Sequence, residues 1–151
     1  MATNCYLDAN ICVAYIQKPH VFHAQSRQLL KDIRLKKLTP LVSPLCLDET
    51  IHILLRDGRQ KKIPNYLSIA RQQIARLLKI PNLAIVNPPE NKTSQLKIFR
   101  LIKAYKLKTR DAYHLLTAKH HKIKYFATFD HDFDLVFSTK SLKQFTTFVL
   151  S

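Results

Sequence analysis

Short apolar runs alternate with longer amphipathic stretches along most of the chain. The runs, from NCYLD near the start to FTTFVL near the end, have the length of buried strands. The predicted strands are residues 4–8, 40–43, 83–89, 124–130 and 145–150. Helices between successive strands indicate crossover connections, which join parallel strands and cover both faces of a sheet. The pattern therefore predicts an α/β protein with a mainly parallel sheet.

The predicted helices lie between these strands and have recognisable ends. Ser43 followed by Pro44 is typical of an N-cap followed by proline at the first helical position. Gly58, the only glycine, is predicted to end that helix, because glycine readily adopts the left-handed backbone conformation found there. Helices are predicted from residue 11, over 20–38, from 44 to about 57, and over 66–80, 94–107 and 110–122.

The length and composition indicate a single folded domain that spans residues 1–151. Hydrophobic residues make up 46% of the chain, which is enough for a sizeable core. No apolar run approaches the ~18 residues of a membrane span, and no basic segment precedes an apolar one at the start. We therefore expect neither a membrane span nor a secretory signal. Three cysteines without a CxxC pair favour reduced, buried thiols in a cytoplasmic protein.

The chain carries a large positive charge. Its 25 lysines and arginines oppose 10 acidic residues, which gives a formal net charge of +15 and a pI near 10.0. Such a charge favours a polyanionic partner, and nucleic acid is favoured over an acidic protein or a membrane surface. The alternative is that the basic residues serve only to keep the chain soluble.

Four of the acidic residues fall where a parallel sheet would bring them together. Asp8 and Asp130 end the first and fourth predicted strands, Glu49 lies on the helix after the second, and Asp111 opens the helix before the fourth. The functional crevice of such sheets lies beyond the carboxyl ends of the strands. Two carboxylates ~4 Å apart repel by about 4 kcal/mol, so a cluster needs a counter-charge such as Mg²⁺ or Mn²⁺. The alternative for each acid is a surface residue, a helix cap or an ion pair.

The segment TFDHDFD contains three aspartates at alternating positions, as an EF-hand calcium loop does. That loop requires glycine at its sixth position and glutamate at its twelfth, where this chain has Leu135 and Ser141. The calcium interpretation therefore fails. Asp130 is the predicted inward ligand, Asp132 is a further contributor through water, and Asp134 is expected to be a cap or a solvated residue.

Three segments together resemble PIN-domain proteins, above all the VapC-type toxin ribonucleases: YLDANI, VSPLCLDE and TRDAYHLLTAKHHKIKYFATFDHDF. Their order and spacing match along essentially the whole chain. The resemblance implies a three-layer α/β/α sandwich around a parallel sheet of four or five strands. It also implies an acidic site that binds Mg²⁺ or Mn²⁺ and cleaves RNA to leave a 5′-phosphate and a 3′-hydroxyl.

The resemblance assigns roles to individual residues. Catalytic and metal-binding roles fall to Asp8, Glu49, Asp111 and Asp130, a further metal contact to Asp132, and supporting roles to Asn10 and Thr128. Asp48 is about 100° around the helix from Glu49, so only one of them can point fully into the site, and we favour Glu49. Lys108, Arg110 and Arg56 are the predicted contacts to the RNA backbone. A small antitoxin partner and a homodimer are also implied.

Two histidines lie one helical turn beyond predicted site acids. His52 follows Glu49 and His114 follows Asp111, each by three positions. No HxxxH or Cys/His pair accompanies them, and the acids favour a harder ion than zinc. We therefore expect packing or supporting roles for both histidines.

Two other functions remain compatible with the sequence: a non-catalytic RNA-binding or scaffold module and a housekeeping RNA-processing nuclease. Cleavage that requires Mg²⁺ or Mn²⁺ and stops with EDTA would separate an enzyme from a scaffold. A phospho-acceptor receiver domain is disfavoured because the third strand ends in IVNPP, without an acid. A phosphate-binding P-loop is excluded by the single glycine.

One position departs from the pattern of the relatives that the chain resembles. Such proteins often have glycine just before the fourth strand, where the preceding helix ends, and this chain has Lys122 there. A left-handed cap at that position would cost a non-glycine residue about 1 kcal/mol. The local turn, rather than the acidic site, is therefore where a difference is expected.

Overall fold

The computed structural model describes residues 3–146 and contains one parallel sheet. Its strands are β1 (Asn4–Leu7), β2 (Thr39–Val42), β3 (Ala84–Ile85), β4 (Tyr125–Ala127) and β5 (Lys143–Gln144). Their order across the sheet is β3-β2-β1-β4-β5, and every neighbouring pair is parallel. The prediction of a parallel α/β protein is confirmed. Because β1 is the middle strand, Asp8, which follows it, lies at the centre of the carboxyl edge of the sheet, where all five strands end.

Helices connect the strands, as the sequence pattern predicts, although the helix between β4 and β5 was not predicted. Their bounds are α1 (Ala9–Ile16), α2 (His23–Leu35), α3 (Pro44–Gln60), α4 (Tyr66–Leu78), α5 (Lys92–Tyr105), α6 (Thr109–His120) and α7 (Asp134–Ser138). A 3₁₀ turn at His131–Phe133 precedes α7. Within residues 3–146, no helix combines the length and apolar content needed to span a bilayer.

Two hydrophobic cores lie on opposite faces of the sheet. The alternation of side chains along β1 divides them: Cys5 and Leu7 belong to one core, and Tyr6 belongs to the other. The first core contains buried residues of α1 to α4, and the second contains those of α5, α6 and α7. The three-layer α/β/α architecture is therefore confirmed.

The edge strands are shorter than predicted. β3 contains two residues rather than the predicted 83–89, although Val86 extends its pairing by donating to the carbonyl of Val42 at 2.8 Å. Two prolines follow, and proline has no N–H to donate to a strand ladder. β5 precedes the predicted strand 145–150, and Phe145 continues its pairing by donating to Phe126 at 2.9 Å. Residues 147–150 of that prediction lie outside the described residues.

Gly58 does not end α3, contrary to the sequence prediction. It lies buried inside the helix, and a Cβ atom there would be 2.7 Å from Cβ of Tyr66. The glycine therefore allows the first residue of α4 to pack closely against α3. The helix ends instead at Gln60, and the left-handed residue beyond it is Lys62, which has a φ of 51°. Ile63 then donates to the carbonyl of Gly58 at 3.0 Å.

Lys122 occupies the left-handed position that glycine would favour. Its φ is 53°, and the motif that ends α6 is complete, because Ile123 donates to Ala118 at 2.9 Å and Lys122 to Lys119 at 3.1 Å. We expect Lys122→Gly to raise the free energy of unfolding by about 1 kcal/mol, since glycine has no Cβ to clash there. Denaturant unfolding measures the effect. Lys103→Gly, an exposed position inside α5, is the matched control and should lower stability by about the same amount.

Candidate metal centre at the carboxyl edge of the sheet

Asp8 is the buried carboxylate at the centre of the sheet edge. It follows β1 and caps α1, with Oδ1 accepting from the backbone N–H of Ala9 at 2.8 Å. Its Oδ2 accepts from the Thr128 hydroxyl at 2.8 Å and from Asn10 at 3.3 Å. Burial raises the pKa of Asp8 above its ordinary value, although His114 and the hydrogen bonds from Thr128 and Ala9 oppose that effect. The carboxylate is therefore fixed in orientation and favours a nearby positive charge.

Asn10 and Thr128 connect the start of α1 to the end of β4 around Asp8. The Asn10 side chain donates to Thr128 Oγ1 at 2.9 Å and accepts from the backbone N–H of Phe129 at 3.1 Å. Thr128 Oγ1 also accepts from the backbone N–H of Asp130 at 3.0 Å. Both residues to which the resemblance assigns supporting roles thus lie against the carboxylate of Asp8.

Glu49 and His114 complete a compact trio with Asp8. Glu49 Oε1 is 2.8 Å from His114 Nε2, and the same nitrogen is 3.9 Å from Asp8 Oδ1. One ligand-type atom from each of the three residues lies within 4.8 Å of the others. Asp48, one position from Glu49, is exposed, so the helix face chosen from the sequence is the one that turns toward Asp8.

His114 has a larger part in this site than the sequence indicated. Its side chain is fully buried, and it joins the acids directly. Burial alone would lower the pKa of His114, but the hydrogen bond to Glu49 and the charges of Asp8, Glu49 and Asp111 outweigh burial and raise it. The one available signal was its position three residues after Asp111 on the same helix. His52, at the equivalent distance from Glu49, is exposed.

Asp111 lies in the first turn of α6 and is half-buried. Burial, followed by the negative charges of Asp8 and Asp132, raises its pKa to about 6. Asp130 contributes in the same direction, and His114 opposes them. The charges of Asp8, Asp132 and Asp130 therefore all act on Asp111.

Asp130 and Asp132 form the exposed rim of the site. Asp130 lies beyond the end of β4 rather than within it, and its Oδ1 accepts from the backbone N–H of Asp132 at 3.1 Å, which caps the 3₁₀ turn. Asp132 is 3.9 Å from the Lys108 ammonium. Asp134 is exposed and contacts His131 at 3.1 Å, in agreement with its expected place outside the site.

Two of the three predicted RNA-contacting residues lie beside the acids. Lys108 pairs with Asp132 while its side chain remains 85% exposed, and Arg110 is exposed next to Asp111. Arg56 is on α3, about two helical turns from Glu49, and donates to Asp57 at 3.2 Å and 3.3 Å. The positive charge adjacent to the site therefore comes from the start of α6.

The donor set fits a hard divalent cation. Carboxylate oxygens are the ligands that Mg²⁺ and Mn²⁺ prefer. Burial, and after it the negative charge of neighbouring carboxylates, raises the pKa of Asp8 and of Asp111. A cation beside these two groups would favour their charged forms. Acids from several segments of a parallel α/β protein thus lie at the carboxyl edge of its sheet and form a candidate metal site.

The family follows from comparison with known proteins. The PIN domain family matches residues 5–136 of this chain, and the chain belongs to that family. The resemblance drawn from its motifs is thereby confirmed. A comparison with curated protein sequences gave no match.

Solved structures with the same fold include toxins and toxin–antitoxin complexes. VapC20 of Mycobacterium tuberculosis, a toxin that cleaves the sarcin-ricin loop, has a TM-score of 0.64 at 15% identity and covers 88% of this chain and 95% of its own. VapBC2 of Rickettsia felis, bound to a promoter DNA fragment, has a TM-score of 0.65 at 16% identity, with 94% and 97% covered. A toxin–antitoxin complex of Klebsiella pneumoniae has a TM-score of 0.55 at 18% identity, with 86% and 90% covered. At these identities the likeness shows the fold.

Proposed function

We propose that this protein is a metal-dependent endoribonuclease and the toxin of a toxin–antitoxin pair. The observation that carries the proposal is the trio of Asp8, Glu49 and His114 at the carboxyl edge of the sheet. Asp111 lies close enough for the charge of Asp8 to raise its pKa. A surrounding chain with a net charge of +15 suits a polyanionic substrate. The fold shared with a sarcin-ricin loop cleaving toxin supports RNA as that substrate.

Asp8, Glu49, Asp111 and Asp130 would hold Mg²⁺ or Mn²⁺, with Asp132 contributing through water. A cation there would supply charge neutralisation at the phosphate and activation of a water for in-line attack. Thr128 and Asn10 hold Asp8 in one orientation through the hydrogen bonds described above. Asp111 is suited to accept a proton from the attacking water, because a pKa of about 6 lies near neutral pH. The products would carry a 5′-phosphate and a 3′-hydroxyl.

The test is cleavage of fluorescently labelled single-stranded RNA by purified protein. We expect cleavage with Mg²⁺ or Mn²⁺, none with EDTA, and recovery when the metal is restored. RNA that is bound but never cut, with either metal and over a broad pool of sequences, would favour the non-catalytic RNA-binding module instead. As a control, Asp134→Asn should cleave like wild type, because Asp134 is an exposed aspartate outside the cluster.

The toxin role requires an antitoxin partner. The toxin–antitoxin complexes that share this fold support the role. Expression of the chain in a bacterial host should stop growth, and co-expression of a short open reading frame adjacent to its gene should restore growth. A chain that cleaves RNA without slowing growth would favour the housekeeping nuclease.

We further propose one PIN-like domain over residues 1–151, a cytoplasmic location and a homodimer. Three free, buried cysteines suit a reducing compartment.

Leu96 and Phe99 on α5 are 70% and 71% exposed, and two such apolar side chains one helical turn apart suit a contact between copies. Light scattering should give twice the mass of the chain, and Phe99→Lys should give the monomer. A monomeric wild-type protein would contradict the dimer.

RNA affinity should fall steeply with salt, because each neutralised phosphate releases counterions. On single strands the slope of log affinity against log salt is about −0.7 for each contact. We expect Lys108→Ala and Arg110→Ala each to reduce the slope by about one contact. Arg56→Ala should change it less, because Arg56 lies about two helical turns from Glu49 and makes a closer ion pair, with Asp57 at 3.2 Å, than Lys108 makes with Asp132 at 3.9 Å. Fluorescence anisotropy in EDTA at several salt concentrations measures the slope. An affinity independent of salt would show that the basic surface does not contact RNA.

A further inference from the structure

We propose that His114 and Tyr6 position Glu49 for the cation through a chain of buried hydrogen bonds, and that His114 is not itself a ligand of the cation. The inference rests on the metal site of the proposed function. Its first measurement, however, does not depend on RNA cleavage.

Four side chains form this relay, from Ser43 through Tyr6 and His114 to Glu49. The Tyr6 hydroxyl contacts Ser43 Oγ on one side and lies 2.6 Å from His114 Nδ1 on the other. His114 Nε2 then lies 2.8 Å from Glu49 Oε1. Ser43, Tyr6 and His114 are all buried, so these hydrogen bonds are shielded from bulk solvent.

The carboxylate of Glu49, at the end of the relay, determines where the protons of the relay lie. A carboxylate only accepts hydrogen bonds, so Nε2 of His114 must carry a proton to lie 2.8 Å from Glu49. In the neutral ring, Nδ1 then accepts from the Tyr6 hydroxyl, and Tyr6 accepts from Ser43. In the imidazolium, Nδ1 donates to Tyr6, and Tyr6 donates to Ser43. In both states the Nε2 nitrogen bears hydrogen and has no lone pair free for a metal.

Through the relay, packing of core side chains restricts the orientation of Glu49. The Tyr6 ring stacks on Phe126 at a centroid distance of 5.1 Å, and the His114 ring meets Tyr6 edge-on at 5.6 Å. Ser43 also caps the helix that carries Glu49, because its Oγ accepts from the backbone N–H of Cys46 at 3.2 Å. With Oε1 held by His114, the second oxygen of Glu49 remains for the cation. Partners of this kind typically tune the affinity of a metal site about 10- to 100-fold.

A ligand role for His114 is the competing interpretation, since one of its ring nitrogens lies with Asp8 and Glu49 in the compact trio. Ligation through Nε2 would break the bond to Glu49 and require the proton to reside on Nδ1. It would also give the site an imidazole, which favours zinc over magnesium. The two roles therefore differ in tautomer and in metal selectivity.

The first measurement is the ¹⁵N spectrum of histidine-labelled wild-type protein, without metal and then with saturating Mg²⁺. His114→Gln identifies the His114 signals. We expect Nε2 to retain its proton in both spectra. A Nε2 that loses its proton on metal addition, with the remaining ring proton on Nδ1, would overturn the positioning role in favour of ligation.

The second measurement is the affinity of the variants for Mg²⁺, Mn²⁺ and Zn²⁺ by calorimetry. Tyr6→Phe keeps the ring and removes the hydroxyl, so we expect Mg²⁺ and Mn²⁺ binding to weaken by the same factor, about tenfold. His114→Ala should weaken both by about 100-fold, and His114→Gln should recover part of the loss, because its amide can donate to Glu49. Matched controls are Tyr125→Phe, a strand tyrosine with no hydroxyl partner in residues 3–146, and His52→Gln. Thermal melts establish that each variant is folded.

The outcomes separate the two proposals. Normal metal binding by Tyr6→Phe and His114→Ala would overturn the positioning role alone. A selective loss of Zn²⁺ binding in His114→Gln, with Mg²⁺ unchanged, would show ligation. Wild-type protein that binds no divalent cation would overturn the proposed function and the positioning role together.

Discussion

Asp111→Asn should lower metal-dependent cleavage by at least 100-fold while making the metal-free protein more stable at neutral pH. The substitution is nearly isosteric, so the packing of α6 should survive. It removes a charge from a site in which burial and the carboxylates of Asp8 and Asp132 already raise the pKa of Asp111 to about 6. Cleavage falls because the site loses a charged oxygen ligand and a proton acceptor.

The stability effect of this substitution has a definite pH dependence. The pKa of Asp111 is about 6 in the folded protein and near 3.8 ordinarily, so between about pH 4 and pH 6 the native state holds a proton that the unfolded chain has lost. The free energy of unfolding therefore falls as pH rises through this range and stays lower above it. Asparagine does not titrate. The variant should match wild type below about pH 4 and exceed it above about pH 6, by about 1 kcal/mol after solvent screening of this half-exposed group.

Denaturant unfolding in EDTA at several pH values, beside an RNA cleavage assay on the same protein, measures both effects. The stability gain should be larger at low salt, where screening is weaker. Added Mg²⁺ should raise the melting temperature of wild type more than that of the variant. A structural ion-pair role for Asp111 predicts the reverse, namely lost stability with activity little changed.

Glu49→Gln and Asp48→Asn should differ by at least 100-fold in cleavage although the two residues are adjacent. Glu49 contacts His114 in the buried part of the site, whereas Asp48 is exposed on another face of α3. Glutamine keeps the length and an oxygen that accepts from His114, but it lacks the charge that favours a cation. Asp48→Asn removes the same charge from the solvent side and should leave kcat/KM within about twofold.

Cleavage kinetics at saturating Mn²⁺ and melting curves with and without metal check this pair. Glu49→Gln should melt at a temperature close to wild type in EDTA and should gain less from metal. Loss of activity in Asp48→Asn with normal activity in Glu49→Gln would show that the opposite face of α3 forms the site.

The sheet could be predicted from the sequence because each strand and helix is indicated by residues that are neighbours in the chain. The apolar run that contains Tyr6 and Leu7 and the Ser43–Pro44 pair each identify an element from neighbouring residues alone. Parallel connectivity then places the ends of β1 and β4 at one edge, which is enough to assign Asp8 to a common site. The edge strands were less accessible, because β3 and β5 each contain only two residues.

The alternation of strands and helices determined the α/β class, and the positions of the acids at or near the ends of these elements predicted which carboxylates lie at the carboxyl edge of the sheet. Only the tertiary structure decided what surrounds them. Glu49 and His114 are 65 residues apart, and Tyr6 and His114 are 108 apart, so no local pattern indicates that they join. The packing of α4 on α3 likewise decided the role of Gly58, because the side chain it accommodates belongs to Tyr66. Periodicity specifies which face of an element is buried, whereas partners across elements depend on how those faces pack.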